Sequence, residues 1–274
     1  MSEELKRYNK QDFYRFFREF DAAVCEASAV SNSIGVKEAE WHIAFATHVF
    51  VRICNHAEAM AGAIPESRWA KKDSYSWDLS FVAPHARAII EGNLLFYYVS
   101  KKPSSDEELR TKINVMHMND CVRRISFFEE GTSDYIGLNK QKDELTERLN
   151  SIDYFQNLSG PTKKRCLNGK ALMIPSRDEL LIEMGEDVRA FNIMFDFLSN
   201  YTHILPISYY RMEANGRGTG CFNEVDLNYI CIFMEQCTQI LRSQTDKIVD
   251  FFPDLSKVRK GIRSKSTFAP KIKK

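Results

Sequence analysis

Residues suited to acid–base chemistry recur at helical spacing inside three otherwise apolar stretches, residues 41–64, 78–100 and 186–203. Side chains three or four positions apart lie on one face of a helix. The spacing therefore predicts three polar stripes, His48–Arg52–Asn55–His56, Arg87–Glu91 with His85 near the start, and Asn192–Asp196–Ser199–Asn200–His203. Imidazole, guanidinium and carboxylate groups together can transfer protons and neutralise an anion.

The three predicted helices are apolar on most other sides, which is typical of buried helices. Because an unpaired buried charge is costly, we expect the stripes to meet, with Arg52 and Arg87 balancing Glu91 and Asp196. Such a meeting is either a structural ion-pair network or a polar pocket in which His203 titrates near neutrality. A third arrangement leaves one stripe facing water.

Motifs of the common hydrolases are absent, since the sequence has no Gly-x-Ser-x-Gly and no His-Glu-x-x-His. A separate pair, Arg110 and His117, is seven positions apart and therefore shares a helix face. That spacing resembles the arginine–histidine pattern of the HEPN class of all-helical bacterial ribonucleases. Thr111 departs from the pattern, because the class favours an amide, an acid or a histidine there, and His203 has no arginine at the required spacing.

Metal and cofactor sites are not indicated by the spacing of the usual ligands. The seven cysteines are dispersed without a Cys-x-x-Cys pair, which predicts reduced, buried thiols. His42 and His56 are fourteen residues apart on one helix, about 21 Å along its axis, too far to share an ion. We therefore predict no metal and no cofactor.

Helical periodicity covers most of the chain, with segments at 12–30, 41–64, 78–100, 104–130, 139–152, 176–184, 186–203 and 223–252. Ser105 with Glu108, and Ser176 with Glu179, have capping-box spacing. Residues 159–170 are expected to form a basic loop. The pattern predicts an all-α fold, a single multi-helix bundle over residues 1–255 with a polar inserted loop and helix near 131–175.

Charge is unevenly distributed, because residues 257–274 hold eight basic residues and no acid, which leaves −7 on the rest of a chain whose net charge is +1. Residues 256–274 are predicted to be a flexible basic tail that contacts RNA or DNA, or is simply solvated. No apolar run approaches the ~18–20 residues that span a bilayer, and the N-terminus lacks a signal core. These features favour a cytoplasmic protein without a membrane partner, and the apolar helix 224–251 favours a homodimer.

Two segments together resemble an uncharacterised bacterial family of all-helical proteins with HEPN-like architecture. One is "HARAIIEGNLLFYYV" at 85–99, which carries Arg-x-x-x-Glu, and the other is "FLSNYTH" at 197–203, which carries Leu-Ser-x-x-x-His. The segment "CNHAEAMAGAI" at 54–64 fits the family's preceding helix. The resemblance spans roughly residues 40–250 and implies a polar centre at Arg87, Glu91 and His203, but no established reaction. Some members occur near defence genes.

The sequence is consistent with three functions. The first is an interaction or nucleic-acid-linked effector in bacterial defence or stress, with Tyr201, Tyr209 and Tyr210 stacking on bases and Arg211 contacting phosphate. The second is a HEPN-type ribonuclease that uses His203 with Arg87, or His117 with Arg110. The third is a small-molecule sensor. The residues of its inter-helix pocket would include Arg52, His56, Asp196 and Asn200.

Overall fold

Helix-forming patterns dominate the sequence, and the computed structural model follows them. It describes residues 7–70, 76–210, 212 and 216–265, and within these ranges the chain forms α-helices without a β-strand. The helices are α1 (Lys10–Ser33), α2 (Trp41–Ala63), α3 (Ala83–Ser100), α4 (Asp106–Ile125), α5 (Ser133–Asn150), α6 (Asp153–Gln156), α7 (Gly160–Leu167), α8 (Arg177–Met184), α9 (Val188–Thr202) and α10 (Glu224–Phe251). The predicted all-α fold is confirmed. Short 3₁₀ turns lie at Leu79–Phe81, Pro206–Ser208 and Pro253–Val258.

The chain divides into two compact units. The large unit comprises residues 1–100 and 189–274, and the small unit comprises residues 101–188. The sequence predicted one domain over 1–255 with an insertion near 131–175, and it did not anticipate this division. The small unit begins earlier than the insertion because α4 contributes Val115, Met118 and Cys121 to a core shared with Leu149 and Phe155.

The large unit is built on α1, α2, α3 and α10, whose buried apolar residues include Phe20, Phe50, Ile89 and Ile230. Helix α2 and helix α3 approach closely at Gly92. A Cβ atom there would lie 2.8 Å from Cγ1 of Ile53. The absence of a side chain at this position therefore allows the two helices to bring their polar residues near one another.

Helix α10 buries its apolar face inside the large unit, with Leu227, Ile230, Leu241 and Ile248 each at most 1% exposed. This is the face from which a homodimer was expected, and the dimer stays a prediction. None of the helices in the described ranges combines the length and the apolar character needed to cross a membrane.

The small unit begins at a cap that differs from the predicted one. Ser105 accepts from the Glu108 amide, but the Glu108 carboxylate accepts from the backbone and the hydroxyl of Ser104. The box predicted at Ser176 and Glu179 forms completely. Residues 160–167, expected to be loop, are helical because Ser159 caps the turn and the Cys166 side chain enters the core.

Part of the basic segment predicted to be flexible from residue 256 makes hydrogen bonds to the helices. Arg259 donates to Asp246 at 2.6 Å and to Glu26 at 3.3 Å, and the Gly261 amide donates to Glu26 at 2.7 Å. These acids lie on α10 and α1, so the sequence near the tail gave no sign of them. The tail's remaining residues, 266–274, lie outside the described ranges.

Candidate functional site

Arg87 lies where two of the predicted polar stripes meet. Its Nε donates to Oγ of Ser199 at 3.0 Å, and its Nη1 pairs with Glu91 at 3.2 Å. Its guanidinium also lies over the Phe195 ring, 4.3 Å from the centroid. Helix α3 and helix α9 are thus joined by one arginine, as the stripes on these two helices predicted.

The contacts of Arg87 fix the orientation of its side chain and leave part of the guanidinium exposed to solvent. The Ser199 hydroxyl donates to the Phe195 carbonyl at 2.8 Å, the usual way in which a serine is satisfied within a helix. The Arg87 side chain is 25% exposed and the Glu91 carboxylate is 58% exposed. The group is therefore a half-buried cation with its counter-ion on the solvent side.

His203 lies immediately after the end of α9, one helical turn beyond Ser199. Its amide donates to the Ser199 carbonyl at 3.0 Å, and its side chain is exposed. Helix α9 ends with a hydrogen bond of 2.9 Å from the Leu205 amide to the Asn200 carbonyl. Between them, Ile204 lies in the left-handed region of backbone conformation, at φ 54°. His203 is thus an exposed residue at the end of the helix whose Ser199 contacts Arg87.

The polar stripe on α2 meets α3 through two histidines, His56 and His85. Their pairing was not predicted from the sequence. Nδ1 of His56 lies 3.4 Å from Nδ1 of His85. Burial lowers the pKa of both imidazoles, and the charge of Arg52 lowers the pKa of His56 further. Both shifts favour the neutral form of the ring.

Of the predicted balance of Arg52 and Arg87 against Glu91 and Asp196, only the Arg87–Glu91 pair forms among the described residues. Arg52 and Asp196 are both exposed, and neither makes an ion pair within the described part of the chain. Asn200 donates to the backbone carbonyl of Asp196 at 2.7 Å. Solvent satisfies these charges, so burial does not force them together.

Tyr201 is a correction to the predicted ligand site. It is 3% exposed, and its hydroxyl accepts from Nη2 of Arg217 at 2.7 Å. The same Nη2 donates to Asp226 at 2.8 Å, and that carboxylate is fully buried. Tyr201 is therefore unable to stack on a base. Arg217 was visible in the sequence only as part of a glycine-rich turn, which carried no sign of this pairing.

The chain after α9 exposes a run of large apolar side chains. Tyr209 and Tyr210 are 47% and 64% exposed, with ring centroids 4.8 Å apart in an edge-on arrangement. Ile204, Leu205 and Ile207 are exposed as well. We call residues 204–210 the aromatic segment. Arg211, predicted to contact phosphate beside it, lies outside the described residues.

Arg110 and His117 lie on α4 of the small unit, and both are exposed on the same helix. Thr111 is fully buried, and its hydroxyl donates to the Glu107 carbonyl at 2.8 Å. The side chain after the arginine therefore points into the core, so it cannot assist the pair.

Six cysteines are buried as predicted, and Cys221 is exposed. Burial, with help from Asp21, raises the pKa of Cys25 to about 12, so this thiol is unreactive. Across the described ranges, no group of three or more His, Cys, Asp or Glu side chains is arranged to hold a metal ion.

Comparison of the chain with protein-family models, with curated proteins and with solved structures found no match. The features that bear on function are therefore the Arg87–Ser199 contact, the exposed His203 and the aromatic segment, which follow one another along α3, α9 and the chain after it.

Proposed function

We propose that the protein is a nucleic-acid-linked effector of HEPN-like architecture that binds single-stranded nucleic acid at the C-terminal end of α9. One observation carries the proposal. The Arg87–Ser199 hydrogen bond ties a half-buried cation to α9, and α9 is followed directly by His203 and the aromatic segment. A cation, an imidazole and exposed aromatic rings are thus concentrated at one end of one helix.

Bases would be held by Tyr209 and Tyr210. Stacking of a base on an aromatic side chain contributes about 1–3 kcal/mol and tolerates any base. Both rings are largely exposed, and the neighbouring Ile204, Leu205 and Ile207 extend the apolar surface. Apolar side chains exposed together in this way are typical of interaction sites.

Phosphate would be met by Arg87 and His203. Because Glu91 is on the solvent side of the guanidinium, a phosphate oxygen would replace its carboxylate as the partner of Nη1. Ser199 and the Phe195 ring would keep the arginine in place during that exchange. The exposed imidazole of His203 provides a further N–H donor.

A binding assay with the full chain tests this function. Fluorescence anisotropy with a labelled single-stranded RNA and the matching DNA should show affinity that falls as salt rises. Tyr209→Ala and Tyr210→Ala should each weaken binding about tenfold. Trp41→Ala is the matched control, since Trp41 is a 59% exposed aromatic on α2 of the same unit, and it should leave the affinity unchanged.

Binding that is independent of salt, or equally weakened by Trp41→Ala and Tyr210→Ala, would overturn the proposal. So would the absence of binding to both RNA and DNA.

The second candidate is metal-independent cleavage of RNA. The observation in its favour is the position of His203 one turn beyond Ser199, the residue that contacts the Arg87 guanidinium. His203 would accept the proton of the RNA 2′-hydroxyl as its oxygen attacks the phosphorus, and Arg87 would stabilise charge on the phosphate. The bond from phosphorus to the 5′ oxygen would break, and that oxygen would take a proton from water. His203→Ala should then abolish cleavage without lowering the melting temperature, whereas His117→Ala should leave it intact.

A further inference from the structure

Arg217 lies in the glycine-rich turn between the aromatic segment and α10. The glycines on either side of it, Gly216 and Gly218, both have left-handed backbones, with φ of 69° and 74°. Side chains are strained in that region, whereas glycine adopts it freely. The chain can therefore turn sharply before and after Arg217, whose side chain is only 12% exposed.

The Arg217 side chain contacts both helices that border this part of the chain. Its Nη2 donates to the Tyr201 hydroxyl in the last turn of α9 at 2.7 Å. Nη2 and Nε also donate to the Asp226 carboxylate in the first turn of α10, at 2.8 and 3.2 Å. That carboxylate is fixed in turn by the side-chain amide of Asn223, the cap of α10, which donates to it at 2.9 Å. Arg217 therefore ties the end of α9 to the start of α10.

The main chain of Arg217 holds the far end of the aromatic segment. Its amide donates to the Met212 carbonyl at 3.1 Å, and Met212 is a buried residue two positions after Tyr210. Tyr201, which the Arg217 side chain contacts, lies three positions before the segment begins. The chain is thus bonded to one arginine both before and after residues 204–210.

The aromatic segment itself is a short turn with local hydrogen bonds. The amides of Tyr209 and Tyr210 both donate to the Pro206 carbonyl, at 3.2 and 2.8 Å, and the Ser208 amide donates to the Leu205 carbonyl at 2.8 Å. Helical turns of this length are unstable in isolation, because few hydrogen bonds offset the lost backbone freedom. The order of the segment therefore depends on contacts that hold its two ends.

We propose that Arg217 is a positioning residue for nucleic-acid binding, which holds Tyr201 and Met212 and so keeps the aromatic segment ordered before a strand arrives. This inference rests on the nucleic-acid function proposed above. A loop that is already ordered loses less freedom when it binds, and this raises affinity without any new contact. Because the guanidinium is bonded to Tyr201 and Asp226, Arg217 acts through the segment and not on phosphate.

Hydrogen exchange of the free full-length chain tests the positioning directly. Tyr201→Phe removes only the hydroxyl that Arg217 contacts, and the amides of residues 203–210 should then exchange about threefold faster or more. Tyr14→Phe is the matched control, because the Tyr14 hydroxyl donates to Glu66 at 2.5 Å on the surface of the same unit. It should leave the exchange of those amides unchanged.

Affinity for a labelled oligouridine, measured by fluorescence anisotropy, tests whether that order matters for binding. Tyr201→Phe should raise Kd about three- to tenfold, and Arg217→Met should raise it about tenfold or more. Arg68→Met is the control for lost stability, since Arg68 pairs at 2.7 Å with the buried carboxylate of Asp21 in the same unit. Below the melting temperatures of all variants, Arg68→Met should bind as wild type does.

Equal loss of affinity in Arg217→Met and Arg68→Met would overturn the proposal, because a purely stabilising role would then explain both. Exchange of residues 203–210 that is unchanged in Tyr201→Phe would overturn it as well, and so would faster exchange with unchanged affinity. Absence of binding by wild type would overturn the nucleic-acid function and this role with it. Faster exchange in Tyr201→Phe would still show in that case that Arg217 orders the segment.

Discussion

Arg87 and Ser199 join α3 to α9 by a hydrogen bond of 3.0 Å between Nε and Oγ. The serine is held in turn by its bond to the Phe195 carbonyl, and the arginine lies over the Phe195 ring. The guanidinium thus has three partners in fixed directions when Glu91 is included. A lysine has no planar fork with which to reproduce these contacts.

A double-mutant cycle should detect this contact as a coupling between two helices. Arg87→Ala and Ser199→Ala should show a coupling energy of about 0.5–1.5 kcal/mol, the usual net value of one hydrogen bond. Urea unfolding followed by tryptophan fluorescence is the measurement. All three tryptophans, Trp41, Trp69 and Trp77, belong to the large unit, so the signal reports that unit.

Ser256→Ala is the control for this cycle, because the Ser256 hydroxyl bonds the Pro253 carbonyl in the C-terminal turn. Its effect should simply add to that of Arg87→Ala. Strict additivity of Arg87→Ala with Ser199→Ala would contradict the prediction.

The buried pair of Arg217 and Asp226 should matter far more to stability. Arg217→Met leaves a fully buried carboxylate without its cation, which costs about 3–5 kcal/mol. Arg242→Met is the matched control, since Arg242 pairs with Glu19 at 3.5 Å on the surface and such pairs contribute about 1 kcal/mol or less. Urea midpoints from tryptophan fluorescence give both values, and similar losses for the two variants would contradict the prediction.

Helical periodicity was sufficient to predict which face of α3 and of α9 is polar, and hence that Arg87 would approach the Ser199 stripe. It was insufficient to predict side-chain contacts that depend on how two helices cross. His56 meets His85 because α2 and α3 approach at Gly92, and no local pattern records that approach. Arg259 likewise finds Glu26 over two hundred residues away.

The apolar character of α2 and α9 led to two further wrong predictions, because it implied that the polar residues on these helices are buried. Arg52 and Asp196 lie on the exposed edges of α2 and α9, so water satisfies their charges. The opposite error affected Tyr201, which was expected at a ligand site although its hydroxyl is needed by Arg217 in the interior. In each case the deciding factor was the orientation of the helix, which the sequence of that helix alone does not determine.

Ile204 should be a position where glycine stabilises the protein. It closes α9 at φ 54°, where a β-branched residue is strained by about 1–2 kcal/mol and glycine is not. Because glycine also adds freedom to the unfolded chain, Ile204→Gly should raise stability by a net ~0.5–1 kcal/mol. Ile207→Gly, at an exposed neighbour whose φ is not positive, should lower it. Thermal unfolding would contradict this if Ile204→Gly melted below wild type.

Glu108 should give the small unit an acid-sensitive component of stability. Burial alone would raise its pKa, but hydrogen bonds from Lys112 and Ser104 outweigh that effect and hold the pKa of Glu108 below its ordinary value. A carboxyl group with a lowered pKa in the folded state stabilises the fold above its unfolded pKa, and this contribution is lost as the pH falls through the folded pKa. Glu108→Gln should therefore reduce protection of the α4 amides at pH 7, by about 1–2 kcal/mol.

Hydrogen exchange measured by mass spectrometry over Asp106–Ile125 reports this helix directly, once intrinsic exchange rates are corrected for pH. The difference between wild type and Glu108→Gln should be constant above about pH 5 and should shrink steadily below it. Glu130→Gln is the control, because Glu130 is exposed on the same unit, and it should match wild type throughout. A difference that persists unchanged into acid would mean that the Glu108 side chain acts through packing, since protonation removes its charge but leaves its shape.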